Sequence, residues 1–164
     1  MHPRRLAVFV LFALSLAVTA TAQKRVITPA DLWAVKRVGS PVLAPDARTL
    51  VFTQQEWSIE KNAGTTNLWL ADVATGALRR LTTAQATDSA PAWSPDGTRI
   101  AFVSRRGADE APSLYVIARD GGEAEKVLEL PGPISSPKWM PDGRRIVVST
   151  TVIPELAGKM AVQK

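Results

Sequence analysis

One fourteen-residue pattern recurs three times in this chain, and it constrains the fold more than any other feature. Residues 90–103 read Ala-Pro-Ala-Trp-Ser-Pro-Asp-Gly-Thr-Arg-Ile-Ala-Phe-Val: a short strand, a tight turn, a strand. Residues 136–149 repeat this closely, and residues 40–53 more loosely. Pro41, Pro91 and Pro137 align, so the spacing is 50 and then 46 residues. A period of this size belongs to stacked supersecondary units, and the four-stranded propeller blade is the leading candidate.

The turn follows from its residues. Proline pre-sets φ at the first central position, aspartate bonds back to the backbone, and glycine takes the left-handed conformation that starts the returning strand. The turn-forming residues are Pro45 and Asp46, Pro95, Asp96 and Gly97, and Pro141, Asp142 and Gly143. Ala47 replaces the glycine in the first repeat. A left-handed alanine costs on the order of 1 kcal/mol, which points to another geometry there. As a carboxylate cluster the three aspartates are the weaker reading.

Each repeat then continues in the same order. In the first, residues 49–54 form the second strand, the polar stretch 56–66 reads as a loop, residues 67–73 alternate as a third strand, and 77–81 return after Ala74-Thr75-Gly76. In the second, residues 99–104, 113–117 and 124–130 take these places, with a short loop over 105–112 and a turn at Asp120-Gly121-Gly122. The third stops after its second strand, residues 144–150. The expected architecture is all-β: about two and a half four-stranded blades, over about 40–83, 88–130 and a partial 134–150, in an incomplete propeller spanning 40–164. Trp69 and Tyr115 match in the third strands, and Trp93 and Trp139 match ahead of the turns, where Leu43 stands in the first repeat. All four aromatics are read as blade-core packing rather than as a ring around a ligand.

The N-terminus has two further parts. Residues 1–22 combine Arg4 and Arg5 with an apolar run from Leu6 to Ala20 and end in Ala20-Thr21-Ala22, the pattern of a cleaved signal peptide. The run is shorter than a membrane span requires. Export to the periplasm or outside the cell is expected, with no membrane contact after cleavage; the alternative is an uncleaved N-terminal anchor. Residues 23–39 supply a polar lead and a short helix: Thr28 caps it, Pro29 occupies its first position, Asp31 completes a capping box, and Gly39 is placed to end it. Leu32 and Trp33 should lie against the repeats, with Ile27 and Leu32 as a staple across the cap.

Composition removes whole classes of chemistry. There is no cysteine, and His2 is the only histidine. A chain cleaved after Ala22 therefore holds no residue for a Ser-His-Asp triad, a Cys-His pair or a histidine or thiolate metal site. No Gly-x-Ser-x-Gly elbow occurs. No catalytic, cofactor-binding or metal-binding residue is assigned, and no cofactor is expected. Without Arg4 and Arg5, eighteen basic residues face fifteen acidic ones, an excess of +3 spread along the chain. That is no nucleic-acid footprint. The pairs Arg79-Arg80, Arg105-Arg106 and Arg144-Arg145 read as solvent-facing.

Trp-Ser-Pro-Asp-Gly followed by Arg-Ile-Ala-Phe-Val, a Leu-Tyr strand and a Gly-Gly hairpin resembles the propeller repeat of TolB and of prolyl oligopeptidase family peptidases. Thr28-Pro29-Ala30-Asp31-Leu32 leading into Val38-Gly39-Ser40-Pro41, with Asn67-Leu68-Trp69 and Arg79-Arg80-Leu81-Thr82, is similar to the start of exported dipeptidyl-peptidases and acylaminoacyl-peptidases of that family. The resemblance implies a propeller that precedes an α/β-hydrolase domain and restricts access to short peptides. Nothing in this chain matches that hydrolase domain. Asp109-Glu110 is adjacent and acidic, but its loop context does not match the acidic pair with which some relatives hold a substrate amino terminus.

Two and a half blades leave an open, partly apolar side. The expectation is therefore a non-catalytic N-terminal fragment of an exported serine exopeptidase. Its partners would be the remaining blades and the hydrolase domain, with short peptides as substrates of the whole. The alternative is a TolB-like binding or scaffold module with no enzyme attached.

Overall fold

The computed structural model describes residues 26–151. The expected signal peptide, and most of the tail after the third repeat, lie outside the described residues. A short helix, α1 (Pro29–Ala34), precedes ten strands. β1 (Arg37–Leu43), β2 (Thr49–Ser58), β3 (Ala63–Asp72) and β4 (Leu78–Arg80) form one four-stranded sheet in sequence order. β5 (Ser89–Trp93), β6 (Arg99–Ser104), β7 (Ser113–Ala118) and β8 (Glu125–Leu128) form a second. β9 (Ile134–Trp139) and β10 (Ile146–Thr150) form a two-stranded sheet among the described residues. Every pairing within these sheets is antiparallel, which makes the chain a partial propeller.

The apolar cores lie between sheets rather than within them, as two-sided blades require. Val51, Leu68 and Leu70 of the first sheet pack against Trp93, Ile100, Phe102, Tyr115 and Ile117 of the second. The other face of the second sheet, Ala101, Val103 and Leu114, packs against Ile134, with Trp139, Ile146 and Val148 alongside. Because successive side chains point to opposite faces, β6 and β7 of the second sheet serve two neighbours at once.

The first strand of each sheet (β1, β5 and β9, its inner strand) carries the same irregularity. Register shifts fall between Gly39 and Val42, between Ser89 and Ala92, and opposite the step from Val147 to Ser149. At each, the residue before the aligned proline is left-handed: Ser40, Ala90 and Ser136 all have φ of 49°. Two residues there face one on the partner strand, a bulge that bends the inner strand.

Three sequence expectations are corrected. Residues 56–66 are not a loop: β2 and β3 pair without interruption from Thr49↔Asp72 to Ser58↔Ala63. Gly64 lets this hairpin close, since a Cβ there would meet Trp57 Cε3 at 2.8 Å, and a four-residue turn ends with Asn62 at φ 44° donating to the Ile59 carbonyl. Gly39 does not end the helix. Ala34 does, and Gly39 pairs with Thr53 inside β1. The helix has the expected capping box, Asp31 accepting from the Thr28 amide at 2.8 Å. However, it meets the sheet through Trp33 stacked on Trp57 at 5.4 Å, while Leu32 and Ile27 stay exposed.

Candidate functional site at the blade seams

The three turns share one geometry. The third-position amides of Ala47, Gly97 and Gly143 donate to the carbonyls of Ala44, Ser94 and Met140 at 2.9, 2.9 and 3.0 Å. Their φ values are 56°, 69° and 64°. The first turn therefore does not adopt a different geometry; Ala47 takes the strained conformation because Pro45 and Asp46 set the rest of the turn. Each aspartate serves its own turn. Asp46, Asp96 and Asp142 accept from the amides of Arg48, Thr98 and Arg144 at 2.9, 3.1 and 3.0 Å. Ser94 Oγ also donates to Asp96 at 2.5 Å, and this bond, with the Thr98 amide, holds the Asp96 carboxyl down to about 2. Among the described residues no cluster of carboxylates or imidazoles has the spacing of a metal site.

The aromatics stand at the seams. Trp93 is buried, and its Nε1 donates across the first seam to the Val42 carbonyl at 3.1 Å. Trp139 repeats this across the second seam, donating to the Ala92 carbonyl at 3.1 Å. A guanidinium covers each ring, Arg119 over Trp93 at 5.7 Å and Arg99 over Trp139 at 4.8 Å. Arg99 occupies the turn-relative position that Thr49 holds in the first sheet. Threonine is too short to reach an indole, and there Arg119 reaches back, bonding Thr49 Oγ1 and pairing with Asp46 at 2.8 Å. Tyr115 is buried beside Phe102, with ring centroids 5.9 Å apart. Trp69, its counterpart, is half-buried with Lys36 5.9 Å above its ring.

Asp88, which the sequence does not mark, and Asp109, which it marks only as half of an acidic loop pair, are buried structural centres. Asp88 is fully buried and accepts from Thr82 Oγ1 at 2.5 Å, Ser104 Oγ at 2.6 Å and Arg106 Nη2 at 2.9 Å. Arg106 is consequently not solvent-facing; its side chain is 19% exposed. The other two arginine pairs also make contacts: Arg79 donates to the carbonyls of Asp120 and Arg119, and Arg145 pairs with Asp142. Asp109 points inward, accepting from the Arg106 amide at 2.9 Å, Tyr115 Oη at 2.7 Å and Lys126 Nζ at 2.9 Å. Burial alone would raise its carboxyl, but these donors hold it below the usual range. Burial, and then the bond to Asp109, push Tyr115 up to about 12.

Along the second seam, a groove of about 910 Å³ runs between the second sheet and β10. Leu114, Val116, Val127, Leu128, Trp139 and Ile146 supply its apolar lining. It lies where, among the described residues, β10 has no partner but β9, in the place β7 and β8 occupy in the second sheet. Among the described residues, the geometry joins sheets and leaves one edge of β10 unpaired. No histidine or cysteine lies among the described residues to form a nucleophile–base pair.

Comparison with known proteins agrees with this architecture. The model of the TolB beta propeller domain matches residues 15–160. The chain is 36% identical over 129 residues to the uncharacterized peptidase YuxL of Bacillus subtilis, an alignment covering 79% of this chain and 20% of that protein. It is 29% identical over 115 residues to dipeptidyl-peptidase 5 of Porphyromonas endodontalis, covering 70% of this chain and 16% of the relative. The chain thus spans a fifth or less of these relatives. Among solved structures, the acylaminoacyl peptidase of Pyrococcus horikoshii superposes with a TM-score of 0.57 at 22% identity, over 71% of this chain and 17% of that one, a likeness of fold.

Proposed function

The chain belongs to the TolB β-propeller domain family, and from that membership we propose that it is the N-terminal, non-catalytic propeller portion of an exported serine exopeptidase, restricting which peptides reach a hydrolase domain carried elsewhere in a longer protein. The observation that carries this reading is the 36% identity to a peptidase of which the chain spans only 20%. The chemistry of the residues supports it. The seams hold sheets together through indoles, guanidinium groups and buried carboxylates, and among the described residues none is arranged to attack a carbonyl. A propeller built this way contributes shape and rigidity, while bond cleavage requires groups from another domain.

Two measurements test the proposal together. The purified chain should not hydrolyse dipeptidyl or acyl-aminoacyl chromogenic substrates. The genomic reading frame should continue into a Gly-x-Ser-x-Gly elbow followed by an aspartate and a histidine. Turnover by the purified chain would refute the non-catalytic role. A frame that closes a ring of blades and stops without the elbow would favour the TolB-like binding or scaffold module instead. Export is tested by N-terminal sequencing of the secreted product, which should begin at Gln23.

A further inference from the structure

The two seams share an indole donor and a covering guanidinium. At each seam an indole from the later blade donates to an inner-strand carbonyl of the earlier blade, Trp93 to Val42 and Trp139 to Ala92. A guanidinium lies over each indole. At the second seam that guanidinium is Arg99, which begins β6 of the earlier blade and also donates to the Gly143 carbonyl of the later one at 3.0 Å.

Moving forward by the 46-residue spacing takes Ala92 to Lys138, Arg99 to Arg145, and Ala101 to Val147. Val51 and Ala101, the counterparts of Val147 at the two formed seams, are fully buried, whereas Val147 is 55% exposed. The Arg145 side chain is 73% exposed and pairs with Asp142 of its own turn.

We propose that the far face of β9–β10 is a seam for a further blade whose first strand carries a tryptophan at the place of Trp93 and Trp139. The Lys138 carbonyl would accept its indole N–H, and Arg145 would cover its ring. This rests on the reading that the chain is part of a longer propeller. A second copy of this chain, docking through its first sheet, is a poorer occupant. That sheet brings Leu43 where an indole is needed, so the carbonyl would lose its donor and the guanidinium its ring. Leu43 is itself 51% exposed.

The test gives the first sheet the missing group. In sedimentation equilibrium on the full chain, Leu43→Trp should self-associate head to tail at least tenfold more tightly than wild type, and Arg145→Ala in that background should remove the gain. Far-UV circular dichroism checks that the variants fold. A cyclised hairpin peptide of residues 90–103, which carries Trp93, provides a second probe should Leu43→Trp misfold. It should bind the wild-type chain at least tenfold more tightly than its Trp→Leu version, and Arg145→Ala should abolish the difference. Three results would overturn the proposal: wild type associating as tightly as Leu43→Trp, a gain insensitive to Arg145, or equal binding of the two peptides. Absence of a hydrolase downstream would sink the peptidase reading but leave these outcomes unchanged.

Discussion

Replacing Trp93 by leucine tests whether the seams hold the fold together. The substitution imitates the first repeat, where Leu43 stands at this place. It removes three contributions. The Val42 carbonyl loses its indole donor at 3.1 Å, worth about 1 kcal/mol. Arg119 loses the ring 5.7 Å away, worth about 0.5 kcal/mol at a partly exposed site. The buried ring leaves a partial cavity among Val51, Leu70, Ile100 and Ile117, and leucine recovers only part of the lost contact, leaving a cost of roughly 2 kcal/mol. The total is about 3–4 kcal/mol, or a fall in Tm of roughly 10–15 °C for a chain of this size. Urea unfolding followed by far-UV circular dichroism measures it. The m-value is informative as well, because blades contact only their neighbours and a weakened seam should let them unfold separately, lowering m. Trp69→Leu is the control: that ring is half-buried and outside the core between the first two sheets. It should cost less than about 1 kcal/mol. Equal losses for the two variants, or a Trp93→Leu loss below about 1.5 kcal/mol, would refute the seam argument.

Ala47→Gly should stabilise by about 0.5–1 kcal/mol, because φ of 56° strains alanine and the site is exposed, whereas Gly97→Ala should destabilise by about 1 kcal/mol; paired melts decide both signs. Asp96 has a folded-state carboxyl held down to about 2 from an ordinary value of 3.8, so its contribution is complete above about pH 4 and disappears as pH falls through about 2. The stability gap between wild type and Asp96→Asn, read from melts at pH 7, 4, 3 and 2, should therefore close on acidification, and a gap that stays constant contradicts the assignment. Asp88→Ala strips Thr82, Ser104 and Arg106 of one buried acceptor and should cost about 3–5 kcal/mol in urea unfolding, with Asp88→Asn losing less.

What could be read from the sequence is what repeats locally. The Pro-Asp-Gly turns, the helix cap and the apolar runs of β6 and β7 are each decided within a few residues, and a period of 46–50 residues multiplies the signal. Elements decided across strands were harder to read. Residues 56–66 are rich in Asn, Gly and Thr and look like a loop until Gly64 is seen beneath Trp57, a cross-strand fit that no residue count reveals. Arg106 sits in a consecutive arginine pair and reads as solvated; its burial depends on a carboxylate eighteen residues earlier. Ser40, Ala90 and Ser136 precede prolines, a context that ordinarily favours extended backbone, and the bulge in each inner strand overrides that preference.

The repeats also differ in a way that explains their departures from consensus. Position 49 holds threonine where position 99 holds arginine, which on its own would leave the Trp93 ring uncovered. Arg119, at the end of β7, compensates by folding back over that ring and fastening to Thr49 and Asp46, so Asp46 carries an inter-blade ion pair in addition to its turn bond. Asp142 has no such inter-blade partner among the described residues and instead binds Arg145 within its own turn. The same turn sequence therefore has different duties by position: it fastens a seam where a later blade sends an arginine back, and at the free face it holds an arginine whose equivalent, Arg99, already covers an indole. A substitution at a turn aspartate should accordingly be felt at a seam for Asp46 and only within the turn for Asp142, although both occupy the same place in the repeat.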